Sequence, residues 1–459
     1  MKRMVFWKPN RIKNSKTAHR CFVLGLDGLG MELLDRLLAQ GAMPVLSELM
    51  QKAAVSRMRS VIPTVSSVAW ASYATGVNPA MHNLFGFVDR EPDPFRIFIP
   101  NASHLKHDTI WEALSRAGKR VISLNVPVSY PPKPVNGVMV GCFLSPSLEK
   151  AVHPPSLLPL LKEMGYSLDV DAWKAREDLE GFLADLERIL ESRFLVAFRL
   201  MEQEPWDFFQ LHIMETDRIN HFLLGLWEEK EEPWCTRFKA FYSRLDSWLG
   251  RLLESLEKLM EKGELTLILM SDHGFCRLEE EFQVNFWLEK QGYLFFEESG
   301  EKKLPQFSPR TRAYSLIPGR IFINLRGRED RGSVAPGAEY ESLRQELAEA
   351  LLELRDPLSG KPMVRKVHLR EEIYRGPFLD RAADLVLEPQ DGFDPKGNTD
   401  AASITQKGHI QGMHTLEDAF LLRYPGELPK RDFRIQDVAC GIMGLLGEPD
   451  RLPTEGKPW

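Results

Sequence analysis

Residues 21–40 read CFVLGLDGLGMELLDRLLAQ: an apolar run that stops at Asp27, a glycine-rich break, then apolar residues at helical spacing. The pattern predicts a strand, a loop and a helix, with Asp27 at the carboxyl end of the strand. In open parallel sheets ligands bind outside the carboxyl ends of the strands, so an acidic residue there is a candidate for chemistry. The same grammar recurs. RVISLNVPV (120–128) reads as a strand after the helical TIWEALSRAGK (109–119), WDFFQLHIME (206–215) as a strand before an apolar helix, and LTLILMSDHGF (265–275) as a strand ending in polar residues. Strands alternating with helices predict an α/β fold with a mainly parallel central sheet flanked by helices.

Farther from these segments the text changes character. Between about 292 and 408, clusters such as GSVAPGAEY, DPLSGKP and PQDGFDPKGN surround one amphipathic helix, ESLRQELAEALLEL, and short strands such as RIFINL and ADLVLEP. This stretch reads as an inserted cap over the sheet edge, and about 87–205 reads as a second insertion. The expected organisation is a basic leader (1–20), a catalytic domain (21–447) carrying both insertions, and a C-terminal tail (448–459). Trp287, Arg312, Tyr314 and Arg320 are the residues offered for substrate selection.

Composition narrows the classes. The 459 residues are 43% hydrophobic and 27% charged, as in ordinary globular proteins, and the net charge of -6 supplies no global basic field for nucleic acid. Five cysteines without a C-x-x-C pair argue against a disulfide framework or a thiolate zinc site. The leader is basic but lacks the apolar core of a signal peptide, which points to a cytoplasmic protein. No apolar run reaches the roughly 18 residues of a membrane span, so stable membrane insertion is not expected.

Several residues can do chemistry. Asp217 and His221 in METDRINHFLLG lie one helical turn apart on a common face, a spacing that suits two ligands of one metal ion. The competing reading is a solvated surface pair. Asp272 and His273 close an apolar strand before Gly274, where a turn could aim both at one ion; the alternative is an N-cap aspartate beside an exposed histidine. His414, taken alone, reads as a structural or surface histidine. In IPTVSSVAWASYATGVNP the hydroxyls of Ser66 and Ser67 precede a helical stretch that Gly76 can end, so one serine is expected to cap the helix while the other attacks a phosphate held at its N-terminus.

Together these pieces resemble the alkaline phosphatase superfamily, in the branch of type I phosphodiesterases and nucleotide pyrophosphatases and more narrowly its predicted phosphohydrolases and phosphomutases. The resemblance runs from about 20 to 447. It is carried by GLDGLG (25–30), PTVSSVAWASYATGVNPAMHNLFGF (63–87), TDRINHF (216–222), SDHGF (271–275) and GMHTLEDAFLL (412–422). It implies a hydrolase of phosphoric esters, phosphodiester or nucleotide-type, acting through a phosphoserine on Ser66. It also implies two divalent ions, zinc or alternatively manganese. Asp217, His221 and His414 hold one, and Asp27, Asp272 and His273 hold the other, with the Ser66 oxygen bridging toward it.

Ser66 matches the nucleophile by lying four residues before Trp70. Two positions depart from the pattern: Asn83 follows His82 where glycine is usual, and Asp418 stands where glycine commonly follows the late histidine. Ser66 is followed by SVAW and not by the motif that matures to formylglycine, which argues against sulfatase activity. A phosphomutase or phosphomonoesterase of the same superfamily is the nearest alternative, and a metal-binding scaffold without turnover is the alternative of another class. The expected partner is a small phosphate ester.

Overall fold

The computed structural model describes residues 19–297 and 302–459; residues 1–18, most of the expected leader, lie outside them. Nine strands form the central sheet, in the order Phe433–Arg434, Ala54–Arg59, Ala419–Tyr424, Leu265–Met270, Arg20–Leu26, Phe208–Ile213, Val121–Leu124, Gly137–Val140, Val152–His153. The five strands from Leu265–Met270 to Gly137–Val140 run parallel, and antiparallel pairings begin only outside them. Strands with helices on both faces must be apolar along their whole length, and Phe208–Ile213 and Leu265–Met270 are buried at every position.

One face is covered by Met31–Ala39, Pro44–Lys52, Leu179–Gln203, Glu215–Glu228 and Trp234–Glu261, whose apolar stripes build the largest core. The other is covered by Ser66–Thr75, Ile110–Arg116 and Ile435–Leu445. Ser66–Thr75 is buried at all ten positions. It ends where the sequence expects: Gly76 takes φ 69°, and its N–H caps the Ser72 carbonyl. The C-terminal segment holds that end in place, since Glu455 bonds Gly76 through its N–H and accepts from the Asn78 N–H at 2.9 Å.

The stretch from about 87 to 205 divides in a way periodicity does not reveal. It contains a small hairpin, Asp89–Pro92 with Phe95–Phe98, but also three strands of the central sheet. The stretch from about 292 to 408 carries a four-stranded antiparallel sheet, Ala313–Leu316, Arg320–Ile323, Leu385–Pro389 and Val364–Leu369, with the helix Ala338–Leu352 against it. These elements, joined by residues from about 282 to 294 and by Ala80 and Phe85, form a second core.

Three residues offered for substrate selection belong to that core. Trp287 packs inside it, and Tyr314 is fully buried with its hydroxyl on Glu329. Arg320, also fully buried, bonds the carbonyls of Val88 and Ile317 and faces Asp89. A helix face took Trp287 and inward-facing strand positions took Tyr314 and Arg320, whose buried phenol and guanidinium must find partners inside the protein. Among the described residues no helix is long and apolar enough to cross a membrane.

Both departures from the family pattern have structural explanations. Asn83 ends the short helix Pro79–His82 at φ 70°, the left-handed conformation asparagine tolerates best after glycine. Asp418 accepts the Glu32 N–H at 3.1 Å and pairs with Arg57, serving the start of the helix Met31–Ala39.

A buried ion pair orients the helix Glu215–Glu228. Arg193 and Glu215 are both inaccessible, with Nε 2.7 Å from the carboxylate, and the guanidinium also bonds the Tyr166 hydroxyl and the Leu168 carbonyl. Removing one member leaves an uncompensated buried charge, so Arg193→Ala is expected to lower stability by about 3–5 kcal/mol. A urea unfolding midpoint unchanged from the parent would show that the pair does not hold this helix.

Candidate active site

The site lies at the carboxyl edge of the parallel strands, where three connections deliver their polar residues to one point. Arg20–Leu26 ends at Asp27, Phe208–Ile213 runs into the helix carrying Asp217 and His221, and Leu265–Met270 ends just before Asp272 and His273. Ser66 is the first residue of the helix Ser66–Thr75. His414 arrives on Gly412–Thr415, an antiparallel partner of Gly274–Arg277 with His414 opposite Phe275. All seven residues singled out from the sequence therefore meet.

They meet in a buried place. Asp27, Asp272 and His273 are fully buried, and Asp217 and Ser66 retain only 2% and 8% exposure. Asp217 is thus no solvated surface residue, and His273 no exposed one. Neither serine caps its helix: the capping position is Val65, with no side-chain bond, and the buried Ser67 hydroxyl has no partner. The Ser66 hydroxyl lies 3.1 Å from Asp27 Oδ1 and 3.2 Å from His273 Nε2. Gly274 is required by close approach and not by a left-handed turn, since a Cβ there would stand 2.5 Å from the Thr415 hydroxyl.

The three histidines share one arrangement. Nδ1 of His221, His273 and His414 faces the carbonyl of Gly412, Gly274 and Thr64, at 3.0, 3.1 and 3.1 Å. A carbonyl only accepts, so each Nδ1 carries the proton, and in the neutral ring Nε2 presents its lone pair inward. The Nε2 atoms of His221 and His414 approach to 3.0 Å, and His414 Nε2 lies 3.2 Å from Asp217 Oδ1. Among the described residues, two groups have the geometry to hold a metal ion: Asp217, His221 and His414, and Asp27, Asp217 and His273. Asp217 belongs to both. Asp272 borders the second, with Oδ2 3.3 Å from His273 Nε2 and Oδ1 accepting the Gly28 N–H at 3.1 Å.

The electrostatics follow from this crowding. Burial and the charge of Asp27 push the Asp272 carboxyl well above the ordinary range. Burial also opposes ionisation of Asp27, but the hydrogen bond from His212 and the nearby imidazoles outweigh it and hold its pKa low. Asp217 is held low too, because His221, His414 and Arg218 together overcome its burial. Burial drives His221 down to about 4 and His273 to about 3, whereas the bond to Asp217 raises His414 in spite of burial.

The sequence reading missed the supports. His212, one strand over and opposite Gly25, lies with Nε2 2.9 Å from Asp27 Oδ2; Trp70 Nε1 donates to the same oxygen at 2.8 Å. Their rings meet edge to face at 4.7 Å. Gly25 permits this, since a Cβ there would fall 2.6 Å from the Trp70 ring. Thr216 donates to the Asp27 carbonyl and Asn220 to that of Gly28, tying the helix to the loop, and Arg218 bridges Asp217 to Asp169. The position of His212 inside an apolar strand, HIM, was the one available signal: a buried imidazole needs a partner.

With the geometry described, comparison with known proteins gives consistent findings. The family model for type I phosphodiesterase / nucleotide pyrophosphatase matches residues 21–417. Phosphonoacetate hydrolase from Sinorhizobium meliloti, solved with phosphonoformate, shares the fold with TM-score 0.64 and 18% identity, over 94% of this chain and 96% of that one. Murine ectonucleotide pyrophosphatase / phosphodiesterase 5, solved as an inactive threonine-to-alanine variant with AMP, gives TM-score 0.60 and 15% identity over 96% and 97%.

Trp70→Phe keeps a ring over Gly25 but removes one of the two N–H donors that fix Asp27 Oδ2. With Asp27 in the metal-holding role proposed below, divalent-metal affinity should fall about 10–100-fold, as it does when groups supporting a ligand are removed. Equilibrium dialysis with zinc reads this directly, and parental affinity would dissociate Trp70 from the orientation of Asp27.

Proposed function

The chain belongs to the type I phosphodiesterase / nucleotide pyrophosphatase family of phosphoester hydrolases, and from that premise we propose that it cleaves phosphoric diesters through a phosphoserine on Ser66 with two divalent ions. The observation that carries the reading is the placement of the Ser66 hydroxyl against Asp27 Oδ1 and His273 Nε2 in a buried cluster of carboxylates and inward-facing imidazoles.

The residues fit divalent metal. Asp272 Oδ2 is buried with no hydrogen-bond partner in the chain, and the cluster gathers three carboxylates and three Nε2 lone pairs, a donor set suited to zinc and also to manganese. Asp217, His221 and His414 are the proposed holders of one ion, and Asp27, Asp272 and His273 of the other, with Asp217 in reach of both. Bound there, such ions would lower the pKa of the Ser66 hydroxyl and offset charge on the leaving oxygen.

The chain's own groups define the rest. Ser66 opens its helix, where the first N–H groups lack intrahelical acceptors and attract a phosphate. The Ser66 oxygen forms a bond to phosphorus as the bond to the leaving alcohol breaks in line, and water then releases phosphate monoester from the serine. Arg218 is the cation beside Asp217, and its guanidinium is committed to Asp169 and Asp217 at 2.6 and 3.0 Å. A dianionic monoester would find no free charge there, which favours the monoanionic diester.

Four outcomes are expected. Elemental analysis after zinc or manganese loading should find about two ions per chain, and a metal-free protein would end the two-metal reading. An aryl phosphodiester should show higher kcat/KM than the matching monoester under one metal condition; the reverse order reassigns the ester type. Ser66→Ala should lose about 10³-fold or more in kcat. Ser67→Ala should remain active and keep or gain up to about 1 kcal/mol of stability, because it removes a buried hydroxyl with no partner. Turnover of the two variants at matched metal occupancy decides between them, and a dead Ser67→Ala beside a near-parental Ser66→Ala would move the nucleophile by one residue.

A further inference from the structure

A cavity of about 230 Å³ opens beside the cluster, and Thr64, Val65, His221 and His414 line it. Phe87 also lines it, as do Ile317, Pro318 and Leu387 of the second sheet's loops and strands. One buried group ties these parts of the lining together, since the Arg320 guanidinium bonds the carbonyl of Val88, next to Phe87, and that of Ile317. Phe87 is stacked on Phe143 at 6.3 Å between ring centroids. The enclosed space falls below the roughly 300–1,000 Å³ common for ligand cavities, enough for a ring or short chain beside the phosphate.

Arg365, Glu388, Asp391, Asp394 and Lys396 also line the cavity, and their pairing decides what can enter. Arg365 is 3.0 Å from Asp391 and 3.9 Å from Glu388. Lys396 is 2.5 Å from Asp394 and 3.4 Å from Glu281. Each lining cation thus already has two carboxylate partners, and the lining carboxylates Glu388, Asp391 and Asp394 outnumber Arg365 and Lys396. A second anionic group on the substrate would have to displace a carboxylate from its cation and then face the remaining ones, a built-in repulsion against that ligand class.

We propose that the organic group this site accepts is small, mainly apolar and without a second anionic group: a phenol or short uncharged alcohol, and not a nucleoside polyphosphate. This rests on the phosphoric ester reading and names the substrate class of the same site.

The test separates the two. Calorimetric titration of metal-loaded Ser66→Ala protein with methyl phenyl phosphate, methyl 4-carboxyphenyl phosphate and ADP reads the cavity without turnover. Methyl phenyl phosphate should bind at least about tenfold more tightly than either other ligand. Converting Asp391 and Asp394 to asparagine in that background should narrow the gap between the two aryl diesters by about threefold or more, because the repulsion is reduced. ADP or methyl 4-carboxyphenyl phosphate binding as tightly as methyl phenyl phosphate, or no binding of methyl phenyl phosphate, overturns the proposal. If the binding order holds while the parent enzyme hydrolyses no aryl phosphate ester, the hydrolase reading fails and the cavity assignment stands.

Discussion

The burial of three carboxylates, Asp27, Asp217 and Asp272, in one place is the constraint on which the rest of the site depends. Charges of one sign cannot share a buried place unless donors or cations compensate them. The fold supplies donors unevenly. Asp27 Oδ2 receives His212 and Trp70, and Asp217 has Arg218 and the histidines, but Asp272 has the Gly28 N–H on one oxygen and no partner on the other. Burial and the charge of Asp27 therefore leave this carboxyl raised in pKa.

The same constraint accounts for the supports around the site. Gly25 lacks a side chain so that Trp70 can lie over the strand and reach Asp27. Thr216 and Asn220 satisfy the backbone carbonyls of Asp27 and Gly28 from the neighbouring helix, and the buried Arg193–Glu215 pair fixes where that helix begins. None of these residues needs to touch substrate. They hold the short, charged side chains of the cluster in place through hydrogen bonds.

Labour is divided between two cores. The sheet and its helices carry the clustered carboxylates, imidazoles and Ser66, while the segments around the second core bring Ile317, Pro318, Leu387 and the paired charges into the cavity lining. Arg320 joins the two halves of the cavity from inside the protein, a role that its charge alone would not suggest. On the proposed function, reaction and selection rest on separately packed parts that meet at the cavity.

By itself the sequence determined the strands whose apolar runs end in Asp27 and Asp272, the helical spacing of Asp217 and His221, the position of Ser66 and the glycine that ends its helix. These are local: a period, a break or a fixed offset along the chain suffices to read them. The resemblance then collected His414, which no local pattern marks. What the tertiary structure decided is everything that depends on neighbours distant in sequence. His212 supports Asp27 from 185 residues away, Asp217 stands in both ligand groups, and Ser67 caps nothing. Trp287, Tyr314 and Arg320 turned inward, while Arg365 and Lys396 reached the cavity already paired with carboxylates. The physical reason is the same in each case: burial and partner choice are set by which strands pair and which faces pack, and a polar side chain takes its role from the donor or acceptor that packing brings to it.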